Sequence, residues 1–265
     1  MKKFLLFLIV FSLVSQVAFA DFPDVKEDYS YVKAVNWLQA NGVVKGYDDG
    51  SYRPDQLVNR AEFVKMLYET MGRSGDYKNK PIQPFTDVDG SEWYGGYVTN
   101  AYMDDYVDGY EDGTFKPADT ITTAEALKIV MNAFFLKGDE LLSTYVKDNT
   151  DWVQNKCVYH NSNYEKVTVA IKNLDQGAWF ASYINSANTY CLIPKQLIED
   201  SSANAIFDPN KKLTRGEMAE FLYRAKAVLD NYRYTEGPDG GYGQIMPPYN
   251  SELNSQVPKA IVKAQ

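Results

Sequence analysis

The sequence has little of the chemistry on which enzymes usually depend. Its 265 residues contain a single histidine, His160. They contain no Gly-x-Ser-x-Gly, His-Glu-x-x-His, phosphate-loop or dinucleotide-binding pattern. A glycosidase with two carboxylates leaves no such motif, because any acidic chain offers pairs of Asp and Glu. We therefore expect a protein that is not an enzyme and has no cofactor, and a carboxylate-based hydrolase is the least favoured alternative.

Cysteine is equally scarce. Cys157 and Cys191 are the only two, 34 residues apart. In an oxidising compartment such a pair can close a disulfide. Two buried free thiols are the alternative, and the spacing alone does not decide between them.

Long hydrophobic runs are absent except at the N-terminus. Lys2 and Lys3 precede an apolar run from Phe4 to Val14, and Ala18-Phe19-Ala20 follows. This layout is typical of a secretory signal cleaved before Asp21. The run is shorter than the roughly 20 residues of a membrane-spanning helix. We expect a signal peptide over residues 1–20, no transmembrane segment after cleavage, and a secreted protein of the cell envelope.

Positive charge is in deficit. The net charge is −8, and removal of a signal with two lysines takes it to −10. An acidic chain repels phosphate backbones, so nucleic acid is not an expected partner.

An internal repeat organises the remaining sequence. Phe22-Pro-Asp24-Val25 recurs 63 residues later as Phe85-Thr-Asp87-Val88. The same offset carries the stretch from Gly46 to Pro54 onto the stretch from Gly109 to Pro117. A match that holds its register for about fifty residues indicates a duplication, with copies at residues 21–72 and 84–135.

A third, more divergent copy is predicted over residues 171–230. Trp179-Phe180 matches Trp93-Tyr94, and the stretch from Thr214 to Glu217 matches the stretch from Asn59 to Glu62. The glycine loop is replaced by residues 194–206, and Asn173 or a displaced aspartate stands where the other copies have Asp24 and Asp87. Residues 136–170 are predicted to be an insertion, and residues 231–265 a flexible tail rich in Tyr, Gly and Pro.

Each copy has the pattern of two helices around a loop. The second helix begins with the pairs Asn59/Glu62, Thr122/Glu125 and Thr214/Glu217. A polar cap followed three residues later by Glu predicts a capping box in all three copies.

Arg60 and Arg215 follow these caps directly. A cation in the first turn of a helix opposes the positive end of the helix dipole. Either each arginine pairs with a nearby carboxylate, or guanidinium and helix-end amides together form an anion pocket. Asp48-Asp49 and Glu111-Asp112 resemble calcium loops only superficially, because the alternating ligands of an EF-hand are missing.

The combination Phe-x-Asp-Val, Gly-Tyr-x-Asp-Gly and [Asn/Thr]-Arg-[Ala/Gly]-Glu resembles the S-layer homology family. The resemblance covers most of residues 22–230 and is weakest in the third copy. It implies an all-α, mainly helical, pseudo-threefold domain in which one helix of each copy joins a central bundle. It also implies that grooves between the copies bind a secondary cell-wall polysaccharide through an acidic pyruvate ketal.

The resemblance assigns roles to eight residues. Arg60 and Arg215 would pair with the sugar carboxylate, and Asp24 and Asp87 would accept sugar hydroxyls. Gly46 and Gly109 would admit the sugar to the backbone, while Trp93 and Trp179 would stack on sugar rings.

Departures from the family pattern leave alternatives open. Thr123 stands where an arginine is expected, so we predict one or two competent grooves rather than three. The ligand could also be a modified glycan or one linked to peptidoglycan. A structural envelope protein that assembles with itself or with other surface proteins is the main competing hypothesis.

The predicted signal makes the first test simple. The secreted protein should have the mass of a chain that begins at Asp21, because the small residues before it favour cleavage there. Intact-mass spectrometry of the exported protein would show this. A mass that includes residues 1–20 would contradict the prediction.

Overall fold

A computed structural model describes nine segments of the chain. These segments are residues 22–73, 83–136, 158–160, 166–168, 171, 173–189, 192–194, 197–199 and 206–233. The predicted signal peptide, both cysteines and the tail beyond residue 233 lie outside the described residues.

The fold is mainly helical, as the sequence predicts. Its helices are α1 (Val32–Ala40), α2 (Arg60–Thr70), α3 (Gly95–Met103), α4 (Thr123–Met131), α5 (Ala181–Thr189) and α6 (Arg215–Arg233). A π-helical turn (Asn132–Leu136) continues α4. Two short antiparallel pairs join β1 (Val158–His160) to β2 (Lys166–Thr168), and β3 (Ile198–Glu199) to β4 (Ile206–Phe207). None of these six helices is long and apolar enough to cross a membrane.

The predicted capping boxes are confirmed at the start of α2, α4 and α6. Asn59 accepts a hydrogen bond from the Glu62 amide at 2.8 Å, and Glu62 accepts one from the Asn59 amide at 3.1 Å. Thr122 with Glu125 repeats this exchange. In α6 the two distances are 3.0 and 3.3 Å. The caps fix where each second helix begins and therefore where the residue after the cap is placed.

The three segments that lead into α2, α4 and α6 are joined by a ring of backbone hydrogen bonds. The amide of Val58 donates to the carbonyl of Leu213 at 3.0 Å, and the amide of Ile121 donates to that of Val58 at 3.0 Å. The amide of Leu213 closes the ring on the carbonyl of Ile121 at 3.1 Å. All three side chains are fully buried. This ring produces the pseudo-threefold arrangement.

The first helix of each pair packs against the second helix of another pair. Thus α3 contacts α2, α5 contacts α4, and α1 contacts α6. The α1–α6 contact joins the beginning of the described chain to its end. Each helix pair therefore depends on its neighbours to bury its apolar side.

The opening motif anchors the loop of its own copy. Phe22 packs on Tyr52 with ring centroids 5.2 Å apart, and Phe85 packs on Phe115 at 5.4 Å. The Asp24 carboxylate accepts hydrogen bonds from the amides of Tyr52 and Arg53 at 2.8 and 2.6 Å. Asp87 binds the amides of Phe115 and Lys116 in the same way, at 2.7 and 2.8 Å.

Asn173 occupies this position in the third helix pair. Its side chain accepts from the amide of Phe207 at 3.1 Å and donates to the Phe207 carbonyl at 2.9 Å. An amide can replace the carboxylate here because it satisfies both backbone groups of one residue. In the segment that replaces the glycine loop, β3 lies in the interior and β4 begins at the last residue.

The structure adds detail that periodicity did not predict. The β1–β2 pair lies within the predicted insertion, and the π-helical turn ends where that insertion begins. Helix α6 extends to Arg233, three residues into the segment predicted as tail. Short paired strands carry too few residues for an alternating pattern to stand out.

Gly46 and Gly42 form a matched pair for a stability test. Both have positive φ, 77° and 73°. A Cβ on Gly46 would lie 2.5 Å from Phe22 Cε1, whereas one on Gly42 would meet nothing within 4 Å. We expect Gly42→Ala to cost about 1–2 kcal/mol through backbone strain. Gly46→Ala should cost roughly 1–3 kcal/mol more through overpacking.

Urea unfolding of both variants at neutral pH measures the difference. Equal losses of unfolding free energy would show that the contact with Phe22 relaxes without cost.

Candidate functional site

Two open cavities lie between the helix pairs. The first groove, about 560 Å³, is lined by the loop of residues 42–47, one face of α2, Trp93 and Arg215. The second groove, about 670 Å³, is lined by the loop of residues 106–112 with Lys116, one face of α4, Trp179 and Arg60.

The two grooves are built in the same way from three parts of the chain. The loop and the helix face come from one copy, and the tryptophan comes from the following one. The arginine comes from the helix start that the backbone ring places beside that loop. Consequently Arg60 of the first copy lines the second groove, and Arg215 lines the first groove. Neither groove exists within a single copy.

Arg215 is held at the wall of the first groove by aromatic and backbone contacts. Its Nε donates to the Tyr52 carbonyl at 2.8 Å. Its guanidinium lies over the rings of Tyr47 and Tyr52, 5.0 and 4.7 Å from their centroids. The residue is only 8% exposed.

Arg60 repeats these contacts in the second groove and adds a carboxylate. Its Nε donates to the Phe115 carbonyl at 2.8 Å, and the guanidinium lies over the rings of Tyr110 and Phe115. Nη1 also pairs with Glu125 at 3.2 Å. Glu125 accepts a further hydrogen bond from the Tyr110 hydroxyl at 2.8 Å.

This network sets the ionisation of the second groove. Burial, the largest effect, raises the pKa of Glu125, but hydrogen bonds from Thr122 and Tyr110 and the charge of Arg60 outweigh it and lower the pKa. Burial raises the pKa of Tyr110 to about 12, with the Glu125 hydrogen bond adding to this and Arg60 opposing it. At neutral pH the groove therefore contains a charged carboxylate and a neutral phenol.

Trp93 and Trp179 form the outer walls. They are 53% and 56% exposed, which is unusual for such large apolar side chains. Lys65 lies 5.5 Å from the Trp93 ring centroid, and Lys128 lies 5.6 Å from that of Trp179. Each groove thus presents an aromatic face with a cation beside it.

The four remaining predicted site residues occupy two kinds of position. Gly46 and Gly109 line the grooves, and each is packed under the Phe22 or Phe85 ring of its copy. Asp24 and Asp87 are not among the lining residues. Each instead holds the backbone amide of the residue whose carbonyl binds the groove arginine. Their predicted contact with sugar hydroxyls stays a prediction.

The equivalent site at the third helix pair lacks the arginine, the tryptophan and the lysine that line the two grooves. Thr123 replaces the arginine, and its hydroxyl donates to the Lys211 carbonyl at 2.9 Å. Repeat register places Ser30 at the tryptophan position and Glu220 at the lysine position. Glu220 is buried in an ion pair with Arg224 at 2.7 Å.

The acidic loops use their own carboxylates internally. Hydrogen bonds from Ser51, followed by the bond and charge of Arg53, lower the pKa of Asp49 to about 2. Asp112 binds Thr114 and Lys116 in the same manner. Across the described segments no group of three or more His, Cys, Asp or Glu side chains is arranged to hold a metal.

Sequence reasoning missed several groove residues. They are Lys45, Tyr47, Glu62, Lys65, Asp108, Tyr110, Glu125 and Lys128. The pairs Tyr47/Tyr110, Glu62/Glu125 and Lys65/Lys128 stand at the same 63-residue offset as the recognised motifs. The repeat register could therefore have identified these pairs as equivalent positions. It could not have shown that they face a groove, because that depends on how neighbouring helix pairs pack.

The S-layer homology domain family matches this chain twice, over residues 21–64 and 84–127. The two matched segments are the first and second copies. The match does not extend to the third helix pair.

Curated relatives share the same part of the chain. Middle cell wall protein of Brevibacillus brevis is 34% identical over 41% of this chain and 10% of its own length. Cellulosome-anchoring protein of Acetivibrio thermocellus is 28% identical over 41% of this chain and 25% of its own length. Amylopullulanase of Thermoanaerobacterium thermosulfurigenes is 27% identical over 76% of this chain and 9% of its own length. The chain thus spans a quarter or less of these relatives.

The Glu125 network predicts a pH-dependent stability. Because the folded pKa of Glu125 is lowered, its contribution is present above the unfolded pKa and is lost as pH falls through the folded pKa. Glu125→Gln should therefore cost roughly 1–3 kcal/mol at pH 7, the usual range for hydrogen bonds to a charged group. The difference from wild type should shrink at pH 3.

Urea unfolding at both pH values measures this. Glu27→Gln, at an exposed position outside the grooves, is the matched control and should show little difference at either pH. A Glu125→Gln effect that is equal at pH 7 and pH 3 would contradict the prediction.

Proposed function

We propose that this protein is a non-catalytic anchor of the cell surface that binds an anionic cell-wall polysaccharide through the first and second grooves. The observation that supports it best is the pairing, in each groove, of a largely buried arginine with an exposed tryptophan. A guanidinium binds carboxylates in a planar, directional way, and an aromatic face packs on the apolar face of a sugar ring. Both features occur twice at equivalent places.

The sequence matches support a location at the cell envelope. Both matched segments belong to the S-layer homology family, and the relatives include a cell wall protein and a cellulosome-anchoring protein. The similarity to an amylopullulanase involves 9% of that protein and supports no catalytic role here.

We also propose that residues 171–230 are a third, divergent S-layer homology repeat. Its capping box, its share of the backbone ring and the Asn173 contact all repeat those of the matched copies. Its groove lacks arginine, tryptophan and lysine, so two grooves rather than three carry the binding.

A structural role in protein–protein assembly is the second candidate. The ion pair between Arg60 and Glu125 favours it, because an arginine already paired inside the protein needs no ligand. The open aromatic wall beside it favours the glycan.

Co-sedimentation with purified cell-wall sacculi tests the proposal. The wild-type protein should pellet with sacculi, and the double variant Trp93→Ala/Trp179→Ala should lose most of this binding. Loss of a nucleobase stacked on an aromatic ring costs on the order of 1–3 kcal/mol, and we expect a loss of similar order for a sugar face packed on tryptophan. Both tryptophans are exposed, so these changes should leave the fold intact.

Two further variants complete the design. Arg60→Gln/Arg215→Gln tests the guanidinium contribution, with circular dichroism to monitor the fold. Tyr102→Ala removes an exposed aromatic outside the lining of both grooves and should bind like wild type. A folded wild-type protein that stays in the supernatant would refute glycan anchoring and favour protein assembly.

A further inference from the structure

The two grooves are alike in shape but opposite in charge. The first groove is lined by three cations, Lys45, Lys65 and Arg215, and by two carboxylates, Glu62 and Glu69. The second is also lined by three cations, but by four carboxylates, which are Asp108, Glu111, Asp112 and Glu125. At neutral pH the first lining carries about one positive charge, and the second about one negative charge.

The critical difference lies at the arginines. Arg60 has its charge balanced by Glu125. Glu62, the equivalent of Glu125, makes no ion pair with Arg215 in the described part of the chain. Tyr47 differs correspondingly, because its hydroxyl accepts from Gln56 at 3.1 Å, whereas the equivalent Tyr110 donates to Glu125.

Among the described residues, Arg215 therefore has no carboxylate counterion. It is more than nine-tenths buried, and among the described residues its terminal amino groups donate to no partner. Its Nε donates to the Tyr52 carbonyl, and its guanidinium lies over the rings of Tyr47 and Tyr52. A buried guanidinium that faces a cavity in this way is strongly stabilised by a carboxylate that enters the cavity.

The lysines show the same asymmetry. Lys128 of the second groove pairs with Asp108 at 2.5 Å. Repeat register replaces Asp108 by Lys45 in the first groove, so the position that supplies the ion-pair partner of Lys128 carries a cation there. In the first groove an entering anion would thus meet cations that form no ion pair among the described residues. In the second groove it would have to displace the ion pairs of Arg60 and Lys128.

We infer that the two grooves bind chemically different sugars of one polymer, an inference that rests on the proposed glycan binding. The first groove binds the carboxylate of an acidic sugar, and the second binds a neutral sugar. The second groove keeps the aromatic wall of Trp179 for a sugar face. Its carboxylates accept hydrogen bonds from hydroxyl groups, which a neutral sugar supplies in abundance.

Fluorine NMR can observe each groove separately. In protein labelled with 5-fluorotryptophan, the variants Trp93→Phe and Trp179→Phe assign one resonance to each groove. The probes are D-galacturonate and D-galactose, which differ only in a carboxylate at carbon 6. At the Trp93 resonance we expect galacturonate to bind at least about tenfold more tightly than galactose, whereas the Trp179 resonance should show no preference for galacturonate.

Charge exchange at two exposed equivalent positions provides the matched variants. Lys45→Asp should reduce the galacturonate preference at Trp93, and Asp108→Lys should create one at Trp179. Arg215→Gln should abolish the preference at Trp93, while the resonance of Trp37, half-buried against Tyr223, reports whether the fold is kept. Lys26→Gln, at an exposed position outside both grooves, should change neither resonance.

Three outcomes would overturn the inference. They are equal responses of Trp93 to both sugars, a galacturonate preference at Trp179 as large as that at Trp93, or no response to either sugar at saturating concentration. These outcomes are independent of sacculus binding. A protein that pellets with sacculi but responds equally to galacturonate at Trp93 and Trp179 would support the proposed function and contradict the inferred difference between the grooves. A protein that prefers galacturonate only at Trp93 but stays in the supernatant would contradict wall anchoring and support the difference between the grooves.

Discussion

The cyclic exchange of backbone hydrogen bonds among Val58, Ile121 and Leu213 is the constraint on which the rest of the structure depends. Three strand-like segments, far apart in sequence, each donate to one neighbour and accept from the other in a fully buried centre. Such groups are costly to leave unpaired, so the three helix pairs must assemble together. The ring orients the starts of α2, α4 and α6 and places each arginine position beside the loop of a different copy.

The grooves follow directly from that arrangement. An arginine immediately after a helix cap is electrostatically unfavourable within its own helix. Here Arg60 and Arg215 extend to a neighbouring loop, where a backbone carbonyl and two aromatic rings hold the guanidinium. Asp24 and Asp87 stabilise those same loops through their amides. Loop, cap and opening motif thus form one unit, which explains why the three motifs recur together in the sequence.

Divergence among the copies separates the requirements of folding from those of binding. The third helix pair keeps the cap, the ring contact and the side chain that holds the loop, although Asn173 replaces the aspartate. It also supplies Arg215 and Trp179 to the first and second grooves. At its own loop, however, Thr123, Ser30 and Glu220 stand at the arginine, tryptophan and lysine positions. The first and second grooves each have all three, yet the change from Lys45 to Asp108 reverses the sign of the lining charge, and the pairing of Arg60 with Glu125 neutralises the arginine of the second groove.

The sequence by itself determined the repeat register, the mainly helical class, the three capping boxes and most of the residues at which the grooves would form. These features are local, because caps, turns and apolar spacing depend on neighbours within a few residues. Only the tertiary structure decided that Arg215 lies in the first groove and Arg60 in the second, and that Asp24 and Asp87 hold backbone amides. It also decided that Arg60 pairs with Glu125, whereas Arg215 pairs with no carboxylate among the described residues. Those facts depend on which loop packs against which helix start and opening motif, and contacts between residues 28 or more positions apart leave no periodic trace in the chain.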